Sequence, residues 1–539
     1  MIKTAQSRLN GAVIYQIYPR SFCDSNGDGV GDLPGIISKL DYLSGQADSL
    51  GVDTIWLSPF YPSPMADFGY DVTDHCSVDP LFGTLADFKQ LLTAAHDRDL
   101  RVLVDFVPNH TSDEHPWFQE ARSSKASKQR NWYVWRDPKP DGSPPNNWLS
   151  EFGGSAWEYD APTGQYYLHS FLTKQPDLNW ENPAVRDAMH QVMRFWLDLG
   201  VDGFRVDAVS WLSKDSEFRD DPINTAYRPN VGDDPHHALL PQYSKRGPQL
   251  FIRLREMAEI IRTYPGRFMI TEAYPDNLAT ADTFYAEFYQ HVDPAVSAPF
   301  NFEAITANWD AKEFRALIDQ FQRDMHPDYS PVYCFGDHDQ RRLASRFGAA
   351  AARTAAVLLL TLPGTPVLYY GDELGMVDGT IGTDQVRDPF ALNNPDLDVG
   401  RDPERTPMLW SAENGAGFST AAPWLPLNAN YQTTNVAMEL TDETSPLQLY
   451  RRLLALRRTS EALRSGLYRS LDVSNDTVFG YVRECDTQKI TVLLNFSDQS
   501  RTVTGDDLAG AVILSTHQDT ATDVHGSITL QPHEGLILT

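Results

Sequence analysis

The sequence predicts an α/β fold. It is a parallel (β/α)8 TIM barrel with a loop-rich subdomain inserted after strand 3 and a C-terminal antiparallel β domain. Three observations carry this reading. Short apolar or β-branched runs alternate with amphipathic helical patterns; a stretch rich in Trp, Pro, Gly and Asn separates the third and fourth runs; and the chain ends in closely spaced alternating runs. At 539 residues the chain exceeds one compact core, so more than one domain is expected.

The eight barrel strands are expected at 12–18, 54–58, 101–107, 203–206, 267–271, 298–302, 331–335 and 365–370. Helical periodicity at 85–97, 183–199, 248–263 and 311–325 falls between them. These spans assign 1–110 and 176–457 to the barrel, with an irregular stretch at 378–431 after the last strand. The segment 111–175 (NWYVW, DPKPDGSPPNNW, FGGSAW) is too long and too rich in turn residues for one crossover, and forms the inserted subdomain. Strand patterns at 477–481, 489–495, 511–514 and 528–530 build the final domain, 458–539.

Lys plus Arg number 45 against 73 Asp plus Glu, a net charge of −28 that disfavours nucleic acid and anionic membrane as partners. No run approaches the roughly 18 apolar residues of a membrane span, and the first residues lack a signal-peptide core, so a cytoplasmic protein is expected. Cys23, Cys76, Cys334 and Cys485 are widely spaced with no CxxC pair, and read as reduced thiols.

In a barrel of this type the functional side chains sit at the C-terminal strand ends. Four strands end in charged or imidazole residues: VLVDFVPNH gives Asp105, Asn109 and His110; GFRVDA gives Arg205 and Asp207; RFMITEA gives Glu272; VYCFGDHD gives His338 and Asp339. One such carboxylate is usually a cap or turn residue. Four sets in chain order on barrel strands converge on one pocket.

These segments resemble the α-amylase superfamily, glycoside hydrolase family 13. DFVPNH (105–110), GFRVDAVS (203–210), ITEAY (270–274) and FGDHD (335–339) are similar to its four conserved regions, and QPDLNW (175–180) to a fifth. The resemblance covers essentially the whole chain. It implies a retaining glycosidase working through an oxocarbenium-like transition state. Asp207 would be the nucleophile, Glu272 the acid and then base, and Asp339 the third carboxylate, gripping the sugar hydroxyls. Arg205 would keep Asp207 ionised, while His110 and His338 would hydrogen-bond the same sugar. The fourth region departs from the family in reading GDHD, with Asp337 where an Asn commonly precedes the His-Asp pair. Thr271 likewise stands where many relatives have Gly.

Further likenesses imply the substrate. SPMADFGYDV (63–72) is similar to the subsite motif of oligosaccharide-cleaving glucosidases, so Asp67 and Tyr70 would contact the non-reducing-end glucose. GRDPERTPMLW (400–410) implies that Arg401 pairs with Asp67 and closes the pocket behind one sugar. Phe152 and Phe171 are expected walls, or ordinary subdomain core. Ala208, after the nucleophile, implies α-1,4 preference, because resembling enzymes that cleave α-1,6 bonds tend to carry Val there.

DSNGDGVGD (24–32) places Asp24, Asn26, Asp28, the Val30 carbonyl and Asp32 at the spacing of a calcium loop, with magnesium as the other ion. A metal-free Gly/Asp turn is the alternative. The expected partner is a small oligosaccharide. Transfer to a sugar instead of water, as in sucrose-, trehalose- or isomaltose-active relatives, uses the same intermediate and stays open. A non-catalytic relative of the transporter heavy-chain type would lose the carboxylates and carry a membrane segment.

Overall fold

The barrel begins with β1 (Ile14–Ile17), β2 (Thr54–Leu57) and β3 (Arg101–Phe106) in a computed structural model that describes residues 11–228, 235–275, 278–324, 330–397, 399–518 and 522–539. The chain then leaves for the inserted segment. There β4 (Trp135–Arg136), β5 (Trp157–Asp160) and β6 (Gln165–Leu168) pair in the order β4-β6-β5. A helix, Pro116–Ser123, opens this segment, which the loop-rich composition did not announce.

The barrel resumes with β7 (Gly203–Val206), β8 (Phe268–Thr271), β9 (Ser297–Asn301), β10 (Val332–Cys334) and β11 (Thr365–Tyr369). Neighbours in the order β1-β11-β10-β9-β8-β7-β3-β2 pair in parallel, and β2 returns to β1 to close the barrel. Each strand overlaps its expected span.

Local chemistry sets the element ends. The helix Leu85–His96 starts with a Thr84/Asp87 capping box. The helix Pro183–Leu199 starts with an Asn182 cap and Pro183 in its first turn, and stops at Gly200, whose φ is 107°. Gly203 opens β7 because a Cβ there would meet the Phe268 carbonyl oxygen at 1.7 Å. The expected 248–263 helix runs Leu250–Arg262, and the fourth runs Ala311–Asp324; Met325, the last residue of its expected span, lies outside the described residues.

Alternation along the strands separates the barrel interior by height. Ile14, Trp56, Leu103, Phe268, Ile270, Val332, Cys334 and Val367 belong to one apolar cluster. Two residues beyond Ile14 and Leu103, Gln16 and Asp105 are buried polar groups, and Arg205, the register partner of Asp105, is a third. A dry floor thus sits beneath a polar mouth.

The helix Pro446–Thr459 and the short helix Glu461–Ser465 precede the last sheet, so the change to strands comes later than residue 458. That sheet holds β12 (Leu467–Leu471), β13 (Val478–Cys485), β14 (Gln488–Asn495), β15 (Arg501–Ser515), β16 (Asp523–Leu530) and β17 (Gly535–Leu538). Its order is β12-β13-β14-β17-β15-β16, with antiparallel neighbours. Sequence reading missed β12, an edge strand with an exposed Leu467, and β17, a short unbroken apolar run. Trp309 stacks on Phe496 at 4.0 Å, joining this domain to the barrel.

Among the described residues no helix is long and apolar enough to cross a membrane. All four cysteines are free.

Candidate active site

Backbone ladders extend one residue past the strands and carry the acids with them. The Asp207 N–H donates to Phe106 O at 2.8 Å, and the Glu272 N–H to Val206 O at 2.9 Å. Arg205 lies beneath both, almost fully buried, and serves three carboxylates. Its Nη1 reaches Asp105 at 2.9 Å and Asp207 at 2.5 Å, and its Nη2 reaches Glu272 Oε2 at 2.9 Å. Arg205 and Asp207 face the same way, as their spacing on one strand requires. Asp105 also accepts from Trp56 Nε1 and the Tyr70 hydroxyl, both at 3.1 Å.

One guanidinium cannot neutralise three acids. Burial pushes Asp105 up to about 6, against the pull of Arg205. Burial likewise pushes Asp207 upward; Arg205 opposes this, and the Glu272 and Asp105 charges add to it. Arg205 thus offsets only part of the negative charge that the three acids bring together. Both donors to Glu272, Arg205 Nη2 and the Ala208 N–H at 2.8 Å, address Oε2 and not Oε1.

His338 is clamped between Tyr70 and Tyr18. The rings stack at 5.4 Å and 5.7 Å, Nε2 meets the Tyr70 hydroxyl at 2.8 Å, and Nδ1 meets Gln16 Nε2 at 2.8 Å. Burial pushes its pKa down to about 3, so it is neutral near pH 7. His110, lowered by burial to about 4, contacts Tyr70 O and Gln175 Nε2 at 3.2 Å each and packs on Phe171 at 5.1 Å.

Arg401 joins the opposite wall. It reaches Asp67 at 2.9 Å, Asp339 at 3.0 Å and Asp388 at 2.7 Å. Arg405 adds a second contact to Asp339 at 2.7 Å. Burial works against the Asp339 charge, but the Arg401 and Arg405 guanidiniums hold it below the usual carboxylate range. The Arg401 guanidinium lies over the Phe152 ring at 4.8 Å, and Phe152 meets Phe171 at 6.0 Å. The structure thus gathers Asp67, Tyr70, His110, Phe152, Phe171, Arg205, Asp207, Ala208, Glu272, His338, Asp339 and Arg401 in one contiguous network. A cavity of about 550 Å³ continues from it, lined by Glu272, Tyr274, Phe302, Glu303, Asp337 and Asp339.

Sequence reasoning did not select Gln175, Asp388 or Arg405. Gln175 opens the QPDLNW segment and donates to Asp67 at 3.0 Å, while Arg405 stands four residues after Arg401; both had a signal. Asp388 caps a short helix in an irregular stretch and had none.

The 24–32 loop lies apart from these acids in sequence. Asp24 accepts from the N–H groups of Asn26, Gly27 and Gly29 and from the Ser419 hydroxyl. Burial opposes its charge, but the Ser419 and glycine hydrogen bonds outweigh that and lower its pKa. Asn26 accepts from Asp28 N–H and Asp28 from Val30 N–H, so three side-chain oxygens fold back over the loop. These oxygens are of the hard type a dication takes, but the carboxylates of Asp24, Asp28 and Asp32 do not all gather within 4.8 Å of one another. Asp32 fits least: Oδ1 caps Gly35, and Oδ2 accepts from Ser25.

Residues 16–466 match the family described as alpha amylase, catalytic domain, and residues 468–537 the maltogenic amylase C-terminal domain. A probable α-glucosidase of Rhizobium meliloti is 40% identical over 506 residues, covering 91% of this chain and 90% of its own. An oligo-1,6-glucosidase of Heyndrickxia coagulans is 37% identical and covered to 98% on both sides. Among solved structures, an α-glucosyl transfer enzyme superposes with a TM-score of 0.90 at 39% identity, covering 98% of this chain and 99% of its own. The trehalulose synthase MutB of Pseudomonas mesoacidophila superposes with a TM-score of 0.88 at 35% identity over the same shares. Likeness of this length and identity extends through both domains, and the chain belongs to glycoside hydrolase family 13, the α-amylase family.

Proposed function

We propose that this glycoside hydrolase is a retaining, exo-acting α-glucosidase. It removes the non-reducing-end glucose of short α-1,4-linked glucosides, maltose and malto-oligosaccharides, through a covalent glycosyl-enzyme. The observation that carries the reading is Arg401 bridging Asp67 and Asp339 at 2.9 and 3.0 Å, which supports a pocket sealed behind one sugar. Asp207 attacks the anomeric carbon while Glu272 protonates the departing oxygen. Glu272 then takes a proton from water as that water displaces Asp207 and releases glucose. Asp207 and Glu272 sharing one guanidinium supports the close spacing, about 5–5.5 Å, of a retaining pair. Asp339, Asp67, His110 and His338 hold the hydroxyls, with Tyr70, Phe152 and Phe171 as walls. A panel of maltose, isomaltose, sucrose, trehalose, maltotriose and starch with products identified tests this; turnover of isomaltose above maltose would overturn the linkage.

Transfer is the second reading. The cavity beside Glu272, lined by Tyr274 and Phe302, offers an acceptor sugar room in place of water. Products longer than the substrate at high maltose would establish it. The loop of Asp24, Asn26, Asp28, the Val30 carbonyl and Asp32 is proposed to hold a structural Ca2+, with Mg2+ as the alternative. The free cysteines support a reducing, cytoplasmic setting.

A further inference from the structure

Asp337 has no part in the chemistry above, yet it is built into the acidic wall of the site. It follows β10 and Gly336, is only 4% exposed, and lines the cavity shared with Glu272 and Asp339. One oxygen of Asp337, a ring nitrogen of His338 and one oxygen of Asp339 all lie within 4.8 Å of one another. Asp337 Oδ1 accepts the Asp339 N–H at 2.9 Å, which leaves Oδ2 for a proton.

The surrounding charges decide where that proton sits. Asp339 on the same loop and Glu272 beyond β8 are acidic neighbours. Arg205 on β7 is the cation acting on Asp337 from across the barrel, and it already serves Asp105, Asp207 and Glu272. Cys334 on β10 is a buried thiol whose pKa burial pushes up, and His338 is neutral. Asp372 beyond β11 faces Arg342 at 3.8 Å and is itself pushed up to about 7 by burial. Arg346, in the helix Leu343–Phe347, feels the Asp337 charge but gives Nη1 to Phe335 O. Asp339, by contrast, holds both Arg401 and Arg405.

Two carboxyl groups within 4.8 Å of each other disfavour each other's ionisation, so one of them holds its proton to higher pH. The one with two guanidiniums keeps its charge, so the proton belongs to Asp337. Burial and the Asp339 charge push Asp337 up to about 7.

We propose that Asp337 works as a neutral carboxylic acid that donates a hydrogen bond to the bound sugar beside Asp339, and that its ionisation weakens sugar binding. This rests on the glucosidase reading of the site. It deepens that reading by naming a sugar-binding donor with its own pH limit.

The test separates Asp337 from Glu272 by fixing the latter as E272Q and measuring maltose binding calorimetrically from pH 6 to 8.5. If the substrate panel shows a different α-glucoside to be the substrate, that sugar replaces maltose, so failure of the linkage reading changes the ligand and not the test. Loss of one hydrogen bond worth about 1.4 kcal/mol is tenfold, so Kd in E272Q is expected to rise about tenfold across this range. In E272Q/D337N the amide still donates and does not titrate, and Kd stays flat; E272Q/D337S, with a hydroxyl donor, does the same and covers a folding failure of the Asn variant. A pH-independent Kd in E272Q, or an undiminished rise in the double variants, would overturn the proposal.

Discussion

The backbone N–H of Ala208 donates to Glu272 Oε2 at 2.8 Å, so the residue after Asp207 also orients the Glu272 carboxyl. It does so from a left-handed conformation, φ 48° and ψ 34°, with its side chain buried. A β-branched residue is poorly accommodated there. Ala208→Val is therefore expected to raise the isomaltose-to-maltose ratio of kcat/KM by about 10-fold or more. It should also lower stability by about 1–2 kcal/mol. Steady-state kinetics on the two disaccharides check it; an unchanged ratio in a folded variant removes Ala208 as a linkage determinant.

Asp207→Asn keeps the shape of the strand end and removes the attacking oxygen. Turnover of maltose should fall by several orders of magnitude, about 10⁴ or more, with an unchanged circular dichroism spectrum. Proton NMR of the first glucose released by wild-type protein should show the α-anomer. Initial β-glucose would make the enzyme inverting.

Arg401→Ala strips the common partner from Asp67, Asp339 and Asp388, two of which are nearly fully buried. Breaking a buried pair from one side costs about 3–5 kcal/mol. A lower Tm, a higher KM for maltose and a raised starch-to-maltose activity ratio are expected together. Retention of the wild-type ratio would show that this arginine does not seal the pocket.

Calcium bound only by the folded loop should raise Tm with concentration as RT ln(1 + [L]/Kd). Chelation followed by bound-metal analysis and a thermal scan checks this, and Asp24→Ala should abolish the response while sparing the carboxylates of the barrel. No shift on chelation and no metal found would leave the segment a Gly/Asp turn.

Stability should decline from pH 6.5 to 8. Glu439 is pushed up to about 8 by burial, and Asp372 and Glu303 to about 7. Each binds more protons folded than unfolded above its ordinary value, so each loses stability as pH rises toward its folded pKa. Burial lowers His75 and His110 to about 4, which gives the opposite slope, but only below about 6.5. The pH dependence of Tm checks the decline, and Glu439→Gln should flatten it.

The strand-end acids were legible because two rules act together: period-two alternation sets the face, and the C-terminal strand ends set the height. Arg205, Asp207 and Glu272 follow from them, whereas Asp339 lies in the loop beyond β10, where alternation no longer applies. The surroundings of Glu272 did not. Its sequence neighbours Ile270 and Ala273 suggest an apolar niche, whereas Arg205 and Ala208 from the adjacent strand supply two donors. Asp388 reaches the site from an aperiodic segment, so no pattern marks it. The edge strand β12 escaped notice because one exposed face leaves little hydrophobic contrast.

The barrel closes only when β1 pairs with β11, and residues 14 and 367 are register partners. A polypeptide emerging from the ribosome therefore displays Asp207 and Glu272 well before Arg401 and Arg405 can reach Asp339. It has the strand-end acids but not the wall that Arg401 and Arg405 build around Asp339. Throughout that interval β1 presents an unsatisfied backbone edge to the crowded cell. Until β11 is made, the growing sheet keeps two open edges, β1 and the strand formed last.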